Sequence, residues 1–265
     1  MREPTAEAPR RAASTPRLSS IGPDRLALLL DLDGTLIEIA NTPDLVEAPG
    51  ALLGKLRWLH RLLDGAVAIV SGRPITQVDQ ILEPLHLPIA GLHGFERRTA
   101  LGEYCREPLP SGIELELIRR RIRDVASGFP GSWIEDKVFG LALHFRATHF
   151  EGTEVLAAVE RALEPIGTEF EALRGRKVVE VRPRGHDKGR AVFAFMRERP
   201  FVGRIPVAAG DDWTDEAAFA AAESLGGMTI AVAPPHESRA QTRLASVAEM
   251  HEFLDELALR LSASA

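Results

Sequence analysis

LALLLDLDGT, residues 26–35, runs apolar from Leu26 and then sets two acids two places apart, Asp31 and Asp33. A continuous apolar run of this length is what a parallel strand covered on both faces requires. The run Leu26–Leu32 therefore predicts a buried strand with an acidic carboxyl end. Ala66–Val70, Pro88–Leu92, Ile205–Ala209 and Thr229–Val232 are further runs of this type. Helical patterns separate several of them. Val78, Ile81, Leu82 and Leu85 form one apolar stripe, with Pro74 placed for the first helical turn. Val192, Phe195 and Met196 form another. Strand–helix alternation predicts an α/β fold, a doubly wound parallel sheet with helices on both faces.

The middle of the chain has a different rhythm. Residues 113–126 read as a helix, and residues 133–146 alternate at period two on either side of Gly140, the mark of a hairpin. Val155, Leu156, Val159 and Leu163 indicate a second helix, and residues 168–182 a second hairpin turning near Gly175. The expectation is a small α+β cap domain, 108–183, inserted into a core domain of residues 21–107 and 184–265. Its hinges fall at Glu107–Pro110 and Pro183–Gly185. Residues 1–20, rich in Arg, Ala, Pro and Ser without helical periodicity, read as a disordered tail. A transit peptide fits less well, because Glu3, Glu7 and the prolines oppose an amphipathic helix.

Residues two apart in a strand share a face. Glu135 then lies with Lys137, His144 with Arg146, and Glu180 with Arg182, while Ile134, Val138, Leu141, Leu143, Phe145, Val179 and Val181 take the other face. The polar face has two readings: the solvated side of a half-buried sheet, or a cap surface presenting hydrogen-bonding groups to a cleft.

Four segments carry chemistry. Asp31 and Asp33 close a central strand at its carboxyl end, where ligands bind in open α/β sheets. Asp31, ionised at neutral pH, can attack phosphorus directly, and Asp33 can move the proton of the leaving oxygen. Gly34 allows the sharp exit from the strand. Turn chemistry alone accounts for the glycine but not for two acids against an apolar strand. SGR, Ser71–Arg73, precedes a helix whose N-terminus with a hydroxyl suits a phosphate oxygen; a plain N-cap is the other reading. Lys188 opens a helix, where its charge opposes the dipole, so a buried anion or open solvent must accommodate it. GDDWTDE, residues 210–216, crowds Asp211, Asp212, Asp215 and Glu216 together, which calls for a cation such as Mg2+. Thr214 is placed to cap the next helix. A nucleophile, a phosphate hydroxyl, a cation and a metal site are the parts of phosphoryl transfer.

Composition agrees. A net charge of −6 provides no basic field for nucleic acid, so none is expected as a partner. No apolar run reaches the ~20 residues of a membrane span, and no membrane partner is expected. The single cysteine, Cys105, permits no disulfide within the chain and points to a reducing, cytoplasmic setting. Nothing in the chain fixes an oligomeric state.

In order and spacing, these four segments resemble the haloacid-dehalogenase superfamily across roughly residues 25–260. Within it, GLHGFE (91–96), IEDK (134–137), HFR (144–146) and KVVEVRP (177–183) leading to DKG (187–189) are similar to the trehalose-6-phosphate phosphatases. The resemblance implies a Rossmann-like core with a cap, Asp31 as nucleophile and Asp33 as acid/base. It implies Mg2+ held by Asp31, the Asp33 carbonyl and Asp211, with Asp212 or Asp215 in support. It gives Thr35, Ser71 and Lys188 to the phosphoryl group. A small sugar phosphate is the implied substrate, gripped by Glu135, Lys137, His144, Arg146, Glu180 and Arg182, with Arg73 also near it. Phe145 stands where the family often has Tyr, and residues 231–246 lack the glycine usual after the last strand. The residues give His93 no role beyond a core or loop histidine. Phosphatases of sucrose phosphate or glycosyl-phosphoglycerate, a phosphomutase and a silent sugar-phosphate sensor are the alternatives, the last weakened by the presence of both Asp31 and Asp33.

Overall fold

A computed structural model describes residues 21–39, 47–107, 112–137, 140–166, 169–175 and 177–264. The expected tail, Val138 and Pro108–Pro110 of the first hinge lie outside these residues. By its contacts the chain divides into two compact units, a larger one ending its first segment at Cys105 and resuming over Asp187–Asp211 and from Asp215, and a smaller one of Arg106–His186 with Asp212–Thr214.

The chain begins with β1 (Leu26–Leu30), α1 (Gly50–Leu62), β2 (Val67–Val70), α2 (Ile75–Leu82), β3 (Ile89–Gly91), β4 (Glu96–Arg98) and β5 (Tyr104–Arg106). There follow α3 (Gly112–Ser127), β6 (Trp133–Lys137), β7 (Gly140–His144), α4 (Gly152–Leu163), β8 (Phe170–Gly175) and β9 (Val178–Pro183). The chain then adds α5 (Lys188–Phe195), β10 (Ile205–Gly210), α6 (Glu216–Ser224), β11 (Met228–Val232), β12 (Thr242–Leu244) and α7 (Val247–Ser264).

The large sheet runs β12-β11-β10-β1-β2-β3-β4-β5. It is parallel from β12 to β3, and β4 then pairs antiparallel to β3. β1 lies between β10 and β2, so its carboxyl end sits where the strand order reverses, the place where open α/β sheets build sites. All five β1 residues are buried, and each buried leucine contributes about 1.5–3 kcal/mol. One apolar cluster joins β1 and β2 with residues of α1, α2, α5 and α7. Ala208 of β10 and Ala231 of β11 join a separate cluster with Phe219 and Ala222 of α6, so the sheet is covered on both faces.

Two of the element ends that differ from expectation have clear causes. β1 ends at Leu30, leaving Asp31 and the buried Leu32 in the turn. α2 stops at Leu82, because Pro84 lacks an N–H and constrains Glu83; Leu85 is buried beyond the helix end.

The smaller unit has its own sheet, β6-β7-β9-β8, antiparallel throughout. Its core gathers Ile118 and Ile122 of α3, Val155 and Val159 of α4, and Leu141, Leu143, Val179 and Val181 of the sheet. Glu135 stands opposite Ala142, and Ala142 opposite Glu180, so the charged residues share one face as the period-two pattern requires. Arg146 is the exception. It lies past the end of β7, exposed, where strand parity no longer applies.

Candidate active site

The turn after β1 folds on itself: Leu36 N–H reaches the Leu32 carbonyl at 2.9 Å. It needs Gly34, whose φ is +78°, and a Cβ there would come within 2.1 Å of Asp211 Oδ2. The glycine thus admits the Asp211 carboxylate from the end of β10. Asp31 is buried, and its two oxygens accept from Thr35 Oγ1 at 3.1 Å and Lys188 Nζ at 2.7 Å.

Lys188 is buried in the first turn of α5, and Asp187 caps that helix by accepting from Arg190 N at 2.7 Å. Its ammonium also donates to Asp215 Oδ1 at 2.7 Å. Burial opposes that charge, but Asp215 and Asp31 overcome it and raise the ammonium's pKa. Two carboxylates, fixed by the fold, are therefore what accommodates a lysine against the helix dipole.

Asp31, Asp211 and Asp215 are all buried, with ligand oxygens within 4.8 Å of one another. Gly210 permits this packing too, since a Cβ there would fall 2.1 Å from Asp215 Cγ. Three carboxylates gather with one ammonium, that of Lys188, which bridges two of them, an excess of negative charge that one divalent cation would balance. In the protein alone the Asp31 carboxyl is raised to about 7: burial drives it up, Lys188 pulls it down, and Asp215 and Asp33 push it up. The donor set is all oxygen, which fits a hard cation.

The structure revises the expected start of the next helix here. Thr214 lies within a short 3-10 turn, Trp213–Asp215, and Asp215 holds the N-cap position of α6 without capping it. The Asp215 side chain turns instead to Lys188 and to the backbone N–H of Asp211, at 3.1 Å. Asp212 accepts from Trp213 N at 2.7 Å and is not among the three clustered carboxylates.

Ser71 is buried at the end of β2, and its Oγ accepts from Arg73 N at 3.1 Å. Arg73 grips Asp33 with both arms, Nε to Oδ2 at 2.6 Å and Nη2 to Oδ1 at 2.8 Å. A bidentate fork fixes the carboxylate's plane as well as its distance. The first N–H of α2, on Ile75, is taken by Glu96 Oε1 at 2.7 Å. That helix end, read from the sequence as a seat for phosphate, already carries an anion of the protein's own. Glu96 was missed because nothing local marks a carboxylate 21 residues away as a cap.

On the smaller unit's sheet the charged face is paired. Glu135 meets His144 Nε2 at 2.8 Å, Lys137 donates to Glu180, and Arg182 Nε donates to Glu171 at 3.1 Å. Small residues on β7, Gly140 and Ala142, lie beneath these long side chains. His144 also stacks on Trp133, ring centroids 4.1 Å apart and 10° from parallel. The hydrogen bond from His144, with Lys137 nearby, lowers the Glu135 pKa against the opposing effect of burial.

The trehalose-phosphatase family model matches residues 29–248. A trehalose-6-phosphate phosphatase of Escherichia coli K12 is 38% identical over 241 residues, spanning 91% of this chain and 88% of that protein. The C-terminal domain of C. albicans trehalose-6-phosphate phosphatase superposes with a TM-score of 0.78 at 21% identity, over 96% of this chain and 99% of that one. A haloacid dehalogenase-like hydrolase from Bacteroides thetaiotaomicron shares the fold at a TM-score of 0.59 and 16% identity, over 88% and 99% of the two chains. The Leu26–Thr35 turn, the buried lysine and the acidic end of β10 all fall within or beside the matched span: the chain is a phosphatase and belongs to the trehalose-phosphatase family.

Proposed function

We propose that the protein hydrolyses trehalose 6-phosphate to trehalose and phosphate, through an aspartyl-phosphate on Asp31 and with Mg2+ as cofactor. The observation that carries the mechanism is the buried Asp31, held from both sides by Thr35 and Lys188 and faced by Asp211 and Asp215. The substrate rests on the family and on the named activity of the E. coli relative.

An Asp31 oxygen attacks phosphorus in line with the leaving sugar oxygen. Asp33 hands that oxygen its proton and later takes one from the water that cleaves the acyl phosphate. Arg73 sets the plane of Asp33 for both transfers. Lys188, Thr35 and Ser71 bind the phosphoryl oxygens. Asp31, Asp211 and Asp215 would hold Mg2+, with the Asp33 carbonyl and Asp212 completing its surroundings. When bound, the ion neutralises charge on the phosphoryl oxygens. Glu135, Lys137, His144, Arg146, Glu180 and Arg182 read the sugar hydroxyls.

The test is phosphate release from trehalose 6-phosphate, sucrose phosphate, a glycosyl-phosphoglycerate and an aryl phosphate, with Mg2+ and with chelator. Trehalose 6-phosphate should be preferred, chelation should stop turnover, and Asp31→Asn should fall to background while remaining folded. Full activity in Asp31→Asn would remove the covalent step, and full activity in chelator would remove the metal.

A further inference from the structure

GLHGFE, residues 91–96, takes no part in the chemistry above, yet it closes on the loop that carries Ser71 and Arg73. His93 N–H donates to the Ser71 carbonyl at 2.9 Å and Leu92 N–H to the Arg73 carbonyl at 3.0 Å. The buried His93 ring lies on Gly72 so closely that a Cβ there would meet Nε2 at 2.8 Å. Gly91 has no room for a side chain either, with Arg73 O and Ile75 N each 2.9 Å from where its Cβ would stand. Leu92 and His93 hold left-handed backbone, φ 53° and 58°, a conformation that non-glycine residues keep only where their surroundings over-determine it. The turn's next residue, Gly94, sits against the Asp187 carbonyl, where a Cβ would come within 3.1 Å. One turn therefore abuts both the Ser71 loop and the N-cap next to Lys188.

Glu96 anchors the far side of this arrangement. It is buried, its Oε1 accepts from Ile75 N at 2.7 Å, and its Oε2 accepts from the Tyr104 hydroxyl. Pro74 occupies the N-cap of α2 and offers no side-chain cap, so Glu96 supplies the acceptor that the local sequence lacks.

We propose that Glu96 is a positioning residue for phosphate binding. Through Ile75 and the Leu92–Gly94 turn it fixes the Ser71–Arg73 loop, hence the Ser71 hydroxyl and the guanidinium that orients Asp33. It does so without touching the substrate. This rests on the reading of Ser71 as a phosphate ligand.

The experiment measures KM, kcat and the inhibition constant of inorganic phosphate in five variants with Mg2+ present. Glu96→Ala should weaken KM and phosphate inhibition about tenfold, the effect of leaving one buried N–H unmatched. Glu96→Gln keeps an acceptor for Ile75 N and should restore most of that affinity. Asp79→Ala is the control: it removes the pair between Asp79 and Arg98, which joins the same two elements at 2.7 Å, and should lower stability without moving the phosphate constant. Tyr104→Phe, at an exposed ring, decides the matter if Glu96→Ala does not fold, and should give a smaller shift of the same sign. A wild-type phosphate constant in folded Glu96→Ala, or an equal shift in Asp79→Ala, overturns the proposal; so does an unchanged Tyr104→Phe where Glu96→Ala fails to fold. Ser71→Ala separates the two readings. A loss there with none in Glu96→Ala overturns the positioning role alone, whereas a wild-type constant in Ser71→Ala overturns the phosphate reading and this one with it.

Discussion

Two groups of charged side chains, one in each unit, are built on opposite terms. At the end of β1 the charges are buried and unequal, three carboxylates, Asp31, Asp211 and Asp215, to the one ammonium of Lys188. On the β6–β9 sheet they are partly buried and each acid meets a basic partner, Glu135 with His144, Glu180 with Lys137 and Glu171 with Arg182. A buried charge without a partner is expensive, so the first group must be held rigidly and leaves an excess that a cation can meet. A pair reached by water is screened and contributes less than a fully buried one, so its partners can be exchanged for a ligand's hydroxyls at smaller loss. Fixed charge suits the reacting phosphoryl group, and exchangeable pairs suit sugar recognition.

The largest expected effect breaks the buried group. Lys188→Met would leave Asp31 and Asp215 together in a buried site without their shared ammonium. Removing one partner of a buried pair typically costs about 3–5 kcal/mol. Urea unfolding in chelator should show a loss of that order, and turnover should vanish. A loss under about 1 kcal/mol would mean that the site is wetter than its burial indicates, and the contrast with the sheet face would collapse.

A smaller effect is expected on the sheet face, and it should fall on substrate choice. A hydrogen bond to a charged group is worth about 1.5–3 kcal/mol, so Glu135→Ala or Glu180→Ala should lower kcat/KM for trehalose 6-phosphate about ten- to a hundredfold. An aryl phosphate, which lacks the hydroxyls, should lose far less, and unfolding midpoints should barely move. Equal losses on both substrates would show that the face supports the protein and does not read the sugar.

How much of this was legible in the sequence follows from the range of the interactions. β1 and β10 were plain, because a strand covered on both faces writes itself as an unbroken apolar run. The smaller unit's hairpins followed from period two, and the shared face of Glu135 and Glu180 from parity. The short strands β4, β5 and β12, each three residues, carry too little pattern to show. The Lys188–Asp31 contact spans 157 residues, and only the rule that buried charges need partners hinted at it. The Arg73 fork on Asp33 left no local mark. Thr214 was read as a cap on propensity, but Asp215 is drawn back to Lys188 and Asp211, and that tertiary demand sets where α6 begins.

The smallest predicted effect concerns acid and sharpens the contrast from the exposed side. The Glu135 carboxyl is held below its usual value of 4.5, first by the hydrogen bond from His144 and also by the charge of Lys137, with burial acting the other way. A carboxyl with a depressed folded pKa stabilises the protein at pH above its unfolded value. That contribution is lost as pH falls below 4.5 through the folded value. Wild type should therefore exceed Glu135→Gln in urea midpoint at pH 7, and the gap should close as the pH is taken below 4.5. His144→Ala removes the main cause of the shift, so in that background the Glu135→Gln gap should be small at both pH values. A gap that persists unchanged in acid would show that Glu135 contributes by shape and not by charge. The face could then no longer be described as a set of ion pairs that a ligand can exchange.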